Sequence, residues 1–164
     1  NIFLIEAITG ARNVDCRRMS LANIQKYGEE EVLVYVPQKH PVEVTVPVHK
    51  WLKELLVQDY PEQVKSIRIS YFCKVLKWIC FQCGIRNKVV VFRGGRSITD
   101  EKWKLIGSHC GRTFATLLST SHVSIEDISD MMGHSNANKP NIEMTSGYIC
   151  ERRKLGKSVF ALFK

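Results

Sequence analysis

Apolar positions along this chain switch between two periods, and the switches mark its elements. Ile2, Phe3, Leu4, Ile5, Ala7 and Ile8 make an apolar helix that ends near Gly10. Val32, Val34 and Val36 alternate with Leu33 and Tyr35, and Val42, Val44 and Val46 alternate with Glu43 and Thr45. Period-two runs of β-branched residues predict strands, and Pro37-Gln38-Lys39-His40-Pro41 between them predicts the turn of an antiparallel hairpin. Helical spacing returns at Trp51, Leu52, Leu55 and Leu56, and Tyr60-Pro61 breaks it. Residues 66–83 predict a longer amphipathic helix with Tyr71, Phe72, Val75, Leu76 and Ile79 inward, closed by Gly84. Residues 89–92 predict a short strand, and Arg93-Gly94-Gly95-Arg96 a basic turn.

The second half holds the most informative pattern. Residues 108–118 read as a helix that buries Phe114, Leu117 and Leu118. At about 100° per residue, His109 and Arg112 then share the other face. Ser124 to Asp127 fits a capping box, Ile125, Ile128 and Met131 repeat at helical spacing, and Gly133 stands where a C′ glycine ends a helix. His134 follows at once, and Tyr148 comes after a polar tract. The tail turns basic at Arg152, Arg153, Lys154 and Lys157, then apolar at Val159, Phe160, Leu162 and Phe163, which predicts a terminal amphipathic helix. The fold class expected is mainly α with a small antiparallel β-sheet, in a single domain.

Charge narrows the partner. A formal charge of +8 and a pI near 9.3 over 164 residues imply an anionic partner, and nucleic acid is the leading one. Six scattered cysteines form no secreted framework; Cys80 and Cys83, in an apolar helical run, read as buried free thiols in a reducing compartment. No apolar run is long enough to span a bilayer, so no membrane partner is expected. Because residues 1–8 already read as the middle of a helix, an upstream domain is expected to be missing.

The order of His109-Cys110-Gly111-Arg112, Thr113-Phe114-Ala115-Thr116, Gly133-His134-Ser135 and Tyr148 resembles the catalytic domain of the tyrosine recombinases, the phage and transposon integrase family. Thr9-Gly10-Ala11-Arg12, with Asp15 three places on, looks like the family's first arginine motif. Gln38-Lys39-His40 stands where the family carries its active-site lysine on a hairpin, with His40 in place of the usual threonine. The resemblance implies an activity: DNA strand cleavage and rejoining, for integration or excision of a mobile element. It also implies a mechanism. Tyr148 attacks to form a covalent 3′-phosphotyrosine, Arg12 and Arg112 fork the non-bridging oxygens, Lys39 protonates the leaving 5′ oxygen, and His109 and His134 assist. No cofactor or metal is expected. The partners implied are double-stranded DNA and other recombinase protomers, through the C-terminal helix, in a bacterial, DNA-associated cytoplasmic setting. The missing upstream part would be an N-terminal DNA-binding domain. Two alternatives share the residues: a type IB topoisomerase-like relaxation of supercoils, and a non-catalytic DNA-binding module that keeps the fold. The chain departs from the family pattern twice. Arg112 abuts Thr113 where the family usually has an intervening residue, which turns the apolar face by about 100°. The tract from His134 to Tyr148 is also longer than usual, and without DNA Tyr148 is expected to lie away from His109 and Arg112, or its loop to be poorly ordered.

Overall fold

Helix α1 (Ile2–Thr9) buries Ile2 and Ile5 and stops at Gly10, whose backbone is left-handed at φ 69° and whose N–H bonds the Glu6 carbonyl. The computed structural model describes residues 1–39, 41–57, 66–108, 110–136 and 139–150. The short helix α2 (Asn13–Cys16) follows the turn. Three antiparallel strands come next in the order β1 (Ile24–Tyr27), β2 (Glu30–Tyr35), β3 (Val44–Pro47). Leu33 lies opposite Val46 and Tyr35 opposite Val44, so one face of the pleat carries four buried side chains into the core. Helix α3 (Lys50–Leu56) adds Leu52 and Leu56. Helix α4 (Ile69–Gln82) then leads to the antiparallel pair β4 (Lys88–Arg93) and β5 (Arg96–Glu101), which turns at Gly94-Gly95, and to the one-turn helix α5 (Lys102–Leu105). Helices α6 (Gly111–Thr120) and α7 (Ile125–Met131) close the core with Phe114, Ala115 and Ile128. A two-residue ladder, β6 (Ser135–Asn136) with β7 (Lys139–Pro140), leads into α8 (Ile142–Ser146).

The mainly helical fold with small antiparallel sheets is the class expected, and several details differ from the sequence reading. Strand β1 was not anticipated: it is a polar edge strand with exposed Gln25, Lys26 and Tyr27, so no alternation marks it. The helix expected over residues 108–118 starts only at Gly111, and its buried face is Phe114 and Ala115 with Leu118 half-buried, while Leu117 is exposed. Helix α4 buries only Leu76 and rests Phe72 on the core; Tyr71, Val75 and Ile79, expected inward, are exposed because the helix meets the core along one narrow stripe. For the same reason Cys80 is only half-buried and Cys83 is exposed, where buried thiols were expected. The polar tract before Tyr148 is also better ordered than expected: β6, β7 and the Asn141-capped α8 lie in it. The terminal helix expected over 151–164 lies outside the described residues. No helix among those residues is long and apolar enough to cross a membrane.

Gly10 joins the two halves of the fold. A Cβ placed there would overlap the ring of Phe114 on α6, and the backbone conformation already disfavours an L side chain. The left-handed region costs a non-glycine residue about 1–2 kcal/mol, and the overlap adds a term of similar size. Gly10→Ala is therefore expected to lose about 2–4 kcal/mol in urea denaturation. A loss below about 1 kcal/mol would show that Phe114 moves aside freely.

Candidate active site

The turn after α1 sets the first charged group. The Thr9 hydroxyl bonds the Ile5 carbonyl (2.7 Å) and accepts the N–H of Ala11 (3.2 Å), which fixes the chain as it enters Arg12, the N-cap of α2. Arg12 is half-buried, and its Nη1 is buried with no hydrogen-bond partner among the described residues. A buried guanidinium nitrogen without an acceptor is costly. Asp15 is only 2 % exposed. Its Oδ1 accepts from Arg18 Nη2 (2.6 Å) and from the backbone N–H of Gln38 (2.9 Å). One carboxylate thus ties the Arg12 turn to the β2–β3 connection that carries Lys39.

The end of α7 sets the second group. Gly133 adopts φ 63°, its N–H bonds the Asp130 carbonyl (3.0 Å), and the N–H of His134 reaches back to Ser129 (2.9 Å). This paired arrangement is the Schellman termination that the sequence signals. A Cβ on Gly133 would meet Val44 at 2.9 Å, so the turn packs directly on β3. His134 is thereby buried at a fixed place. Its Nδ1 lies 3.1 Å from the Thr145 hydroxyl, which itself donates to the Asn141 carbonyl at 2.9 Å. A hydroxyl has one hydrogen, so Nδ1 carries the proton and donates to Thr145. The His134 carbonyl accepts from Ser129 Oγ and from Asn141 N, both at 2.6 Å.

Tyr148 follows α8. Its ring lies on the His134 imidazole with centroids 4.8 Å apart at 55°, and its edge faces Gly111, where an added Cβ would come within 3.4 Å of it. The segment is thus ordered, with the ring docked on the domain beside His134, while Arg112 lies outside the cavity that Tyr148 lines. Just beyond it, the Cys150 N–H bonds the Thr116 hydroxyl (2.9 Å), and Arg112 Nη1 points at Cys150 Sγ (3.9 Å).

Arg12, His134 and Tyr148 line one cavity of about 290 Å³, together with Tyr35, Pro37, Ser108, Cys110 and Gly111. Lys39 is exposed on the neighbouring connection and does not line it. Arg112 is also exposed and does not line it; with Phe114 and Ala115 turned to the core, the first turn of α6 presents Arg112 toward Cys150. His109 lies outside the described residues, between Ser108 and Cys110, which both border the cavity. Sequence reasoning missed Tyr35 and Thr145. Tyr35 read only as a strand position, and its burial raises the phenol pKa, which keeps it protonated in the cavity wall. Thr145 gave no signal apart from lying one helical turn beyond Asn141.

Beneath the cavity lies a polar group that the pattern of α1 disguised. Glu6 is completely buried on an otherwise apolar helix. Asn13 Nδ2 donates to its Oε1, while Oε2 has no partner among the described residues. Asn13 Oδ1 accepts from Arg17 Nε (2.7 Å), and Arg17 Nη1 donates to the Ile67 carbonyl (2.6 Å). Burial pushes the Glu6 carboxyl up to about 7, against the opposing pull of Asn13, Cys110 and Arg17. Burial also pushes the Cys110 thiol up to about 12, with Glu6 adding to it.

No protein-family model and no curated protein matches this chain. Solved structures do. The chain is similar to the XerH site-specific recombinase bound to palindromic difH substrate in a post-cleavage complex, with TM-score 0.63 and 14% identity, over 99% of this chain and 44% of that one. XerH in a pre-cleavage complex with difH gives TM-score 0.59 and 14% identity, over 99% and 46% of the two chains. The catalytic domain of bacteriophage HP1 integrase gives TM-score 0.54 and 19% identity, over 90% and 71%. The chain spans less than half the length of the XerH chains it matches. At these identities the likeness is one of fold, and the fold is that of a tyrosine recombinase catalytic domain.

Proposed function

We propose, from the premise that the chain has the fold of a tyrosine recombinase catalytic domain, that it is the catalytic domain of a longer site-specific DNA recombinase. One observation carries the reading. Tyr148 is packed on His134 in the same cavity as Arg12, whose buried Nη1 lacks a partner. In this reading a DNA phosphate enters the cavity and its non-bridging oxygens take the vacant donor of Arg12. The Tyr148 oxygen attacks phosphorus as its proton passes to a base, for which His109 is the candidate. The bond from phosphorus to the 5′ oxygen breaks, and Lys39 supplies the proton that oxygen needs. A phosphotyrosyl ester conserves the energy of the broken bond, so rejoining to a new 5′ hydroxyl needs no nucleotide cofactor. His134, fixed through Thr145, holds the phosphate and the tyrosine ring together. Other protomers are proposed to join through the C-terminal segment.

Lys39 and Arg112 must reach the phosphate when DNA is bound. Both are long, exposed side chains on segments bordering the cavity, Lys39 two residues past Pro37 and Arg112 one past Gly111. The position of Arg112 also favours a second reading, a DNA-binding module without chemistry. Incubation with a nicked half-site DNA, whose short downstream piece diffuses away after cleavage, separates the two. A covalent protein–DNA adduct supports the recombinase, and duplex binding with no adduct supports the module. Relaxation of supercoiled plasmid with no site preference would instead indicate topoisomerase activity.

Lys39 has its own test. Lys39→Ala is expected to slow adduct formation by about 10²–10⁴-fold, the usual range for a lost general acid. A 5′-bridging phosphorothiolate substrate, whose sulfur leaves without a proton, should restore most of that rate. Failure of the rescue would remove Lys39 from the role of acid.

A further inference from the structure

We propose that Glu6 is a positioning residue for Arg12: its buried carboxylate, through Asn13, sets the pitch of the turn on which the Arg12 guanidinium is carried, and its protonation loosens that turn. The inference rests on the reading of Arg12 as a phosphate-binding residue, but its first readout does not.

Three observations support it. Glu6 is fully buried on α1, six residues before Arg12, and the group it holds is the side chain of Asn13, the residue next to Arg12. Asn13 cannot drift alone, because its other end holds Arg17, itself buried and tied to the Ile67 carbonyl. The Cys110 thiol, near Glu6, donates to the Phe3 carbonyl on α1 (3.7 Å) and precedes the helix whose first residue, Gly111, faces the Tyr148 ring.

The charged form suits this role. Ionised Glu6 is a pure acceptor that takes the Asn13 amide and offsets the charge of Arg17. Protonated Glu6 turns one oxygen into a donor and weakens the hold on Asn13. The titratable groups facing it are Cys16 and Arg17 from α2 and Cys110 from the start of α6. The charged residues of α3, packed on the other side of α1, are exposed, as is Arg112 on α6. Burial places the titration of Glu6 near neutral pH, at about 7.

The test uses the DNA-free protein first. The side-chain amide of Asn13 and the backbone amide of Arg12, followed by nitrogen-resolved NMR, should both shift through one titration step near pH 7. That step should vanish in Glu6→Gln, which keeps the shape, presents one acceptor and one donor as the protonated carboxyl does, and cannot ionise. In Asn13→Ala the Glu6 carboxyl should still titrate while the Arg12 amide no longer follows. If Glu6→Gln keeps the Arg12 step, another group causes it and the inference is wrong. If Arg12 still follows Glu6 in Asn13→Ala, the coupling does not run through Asn13. Urea denaturation guards against a misfolded variant. Glu6 binds its proton more tightly in the folded state, so its stabilising contribution is whole below about 4.5 and is lost as pH rises through about 7. Glu6→Gln should lack that loss. The second readout is adduct formation on nicked DNA. The wild-type rate should rise about tenfold as pH passes through that step, beyond any rise from the histidines that Glu6→Gln retains. An NMR step without any wild-type adduct would sink the recombinase reading and leave the positioning role standing. An adduct rate with the same pH profile in Glu6→Gln would overturn the role in chemistry.

Discussion

Tyr148→Phe is expected to abolish the covalent adduct while leaving the domain folded. The substitution removes one oxygen and keeps the ring, and the ring makes the contacts that hold this segment: the tilted stack on His134 and the edge against Gly111. Stability should stay within about 0.5 kcal/mol of the parent, as for changes that disturb no packing. Chemistry should fall by about 10³-fold or more, because water would have to replace an oriented nucleophile already held in the cavity. Duplex binding should persist, since it rests on many phosphate contacts. An adduct that survives in Tyr148→Phe would point to another nucleophile, with the Tyr35 phenol in the same cavity as the first candidate.

The second large effect is expected at Arg12, and its signature is a split between stability and activity. Removing one donor to a developing oxyanion typically costs about 10²–10³ in rate. Arg12→Ala should lose that much in adduct formation and only a few-fold in duplex binding. Stability should not fall, because Nη1 is already a buried donor without a partner. Deleting an unsatisfied group is neutral or favourable to folding. Arg12→Lys should recover part of the binding and little of the chemistry, since an ammonium cannot fork two oxygens. Single-turnover kinetics with a saturating nicked substrate, beside urea denaturation, measure both sides. Equal losses of binding and of chemistry would make Arg12 a general contact to the DNA backbone.

Particular residues show where the sequence was legible. The Gly133-His134 turn could be read because a helix end needs a left-handed residue at one place, and glycine supplies it. The Thr9-Gly10 turn was legible for the same reason, and it placed Arg12. His134 and Arg12 therefore stood out before any coordinates, and the cavity brings them together with Tyr148. The facing of Arg112 was less legible, because this helix begins only at Gly111 and its first turn leaves Arg112 exposed outside the cavity. Glu6 was hidden for a different reason. A carboxylate in an apolar run looks like a solvent face, and only the tertiary arrangement shows Asn13 and Arg17 arriving to accommodate it. Strand β1 left no trace, because an exposed edge imposes no pattern on its side chains. Tyr148 was assigned its place by motif order, and the packing that docks it on His134 depends on Thr145 and Asn141, which the sequence gives no reason to connect.

The most direct measurement of the central claim is the identity of the residue linked to DNA. The protein is incubated with a nicked duplex, the covalent species is isolated after denaturation, the DNA is digested, and the modified peptide is sequenced by mass spectrometry. The account predicts a nucleotide joined through its 3′ phosphate to Tyr148. A linkage at Tyr35 or any other residue, a 5′-phosphoryl linkage, or duplex binding with no covalent species would contradict it.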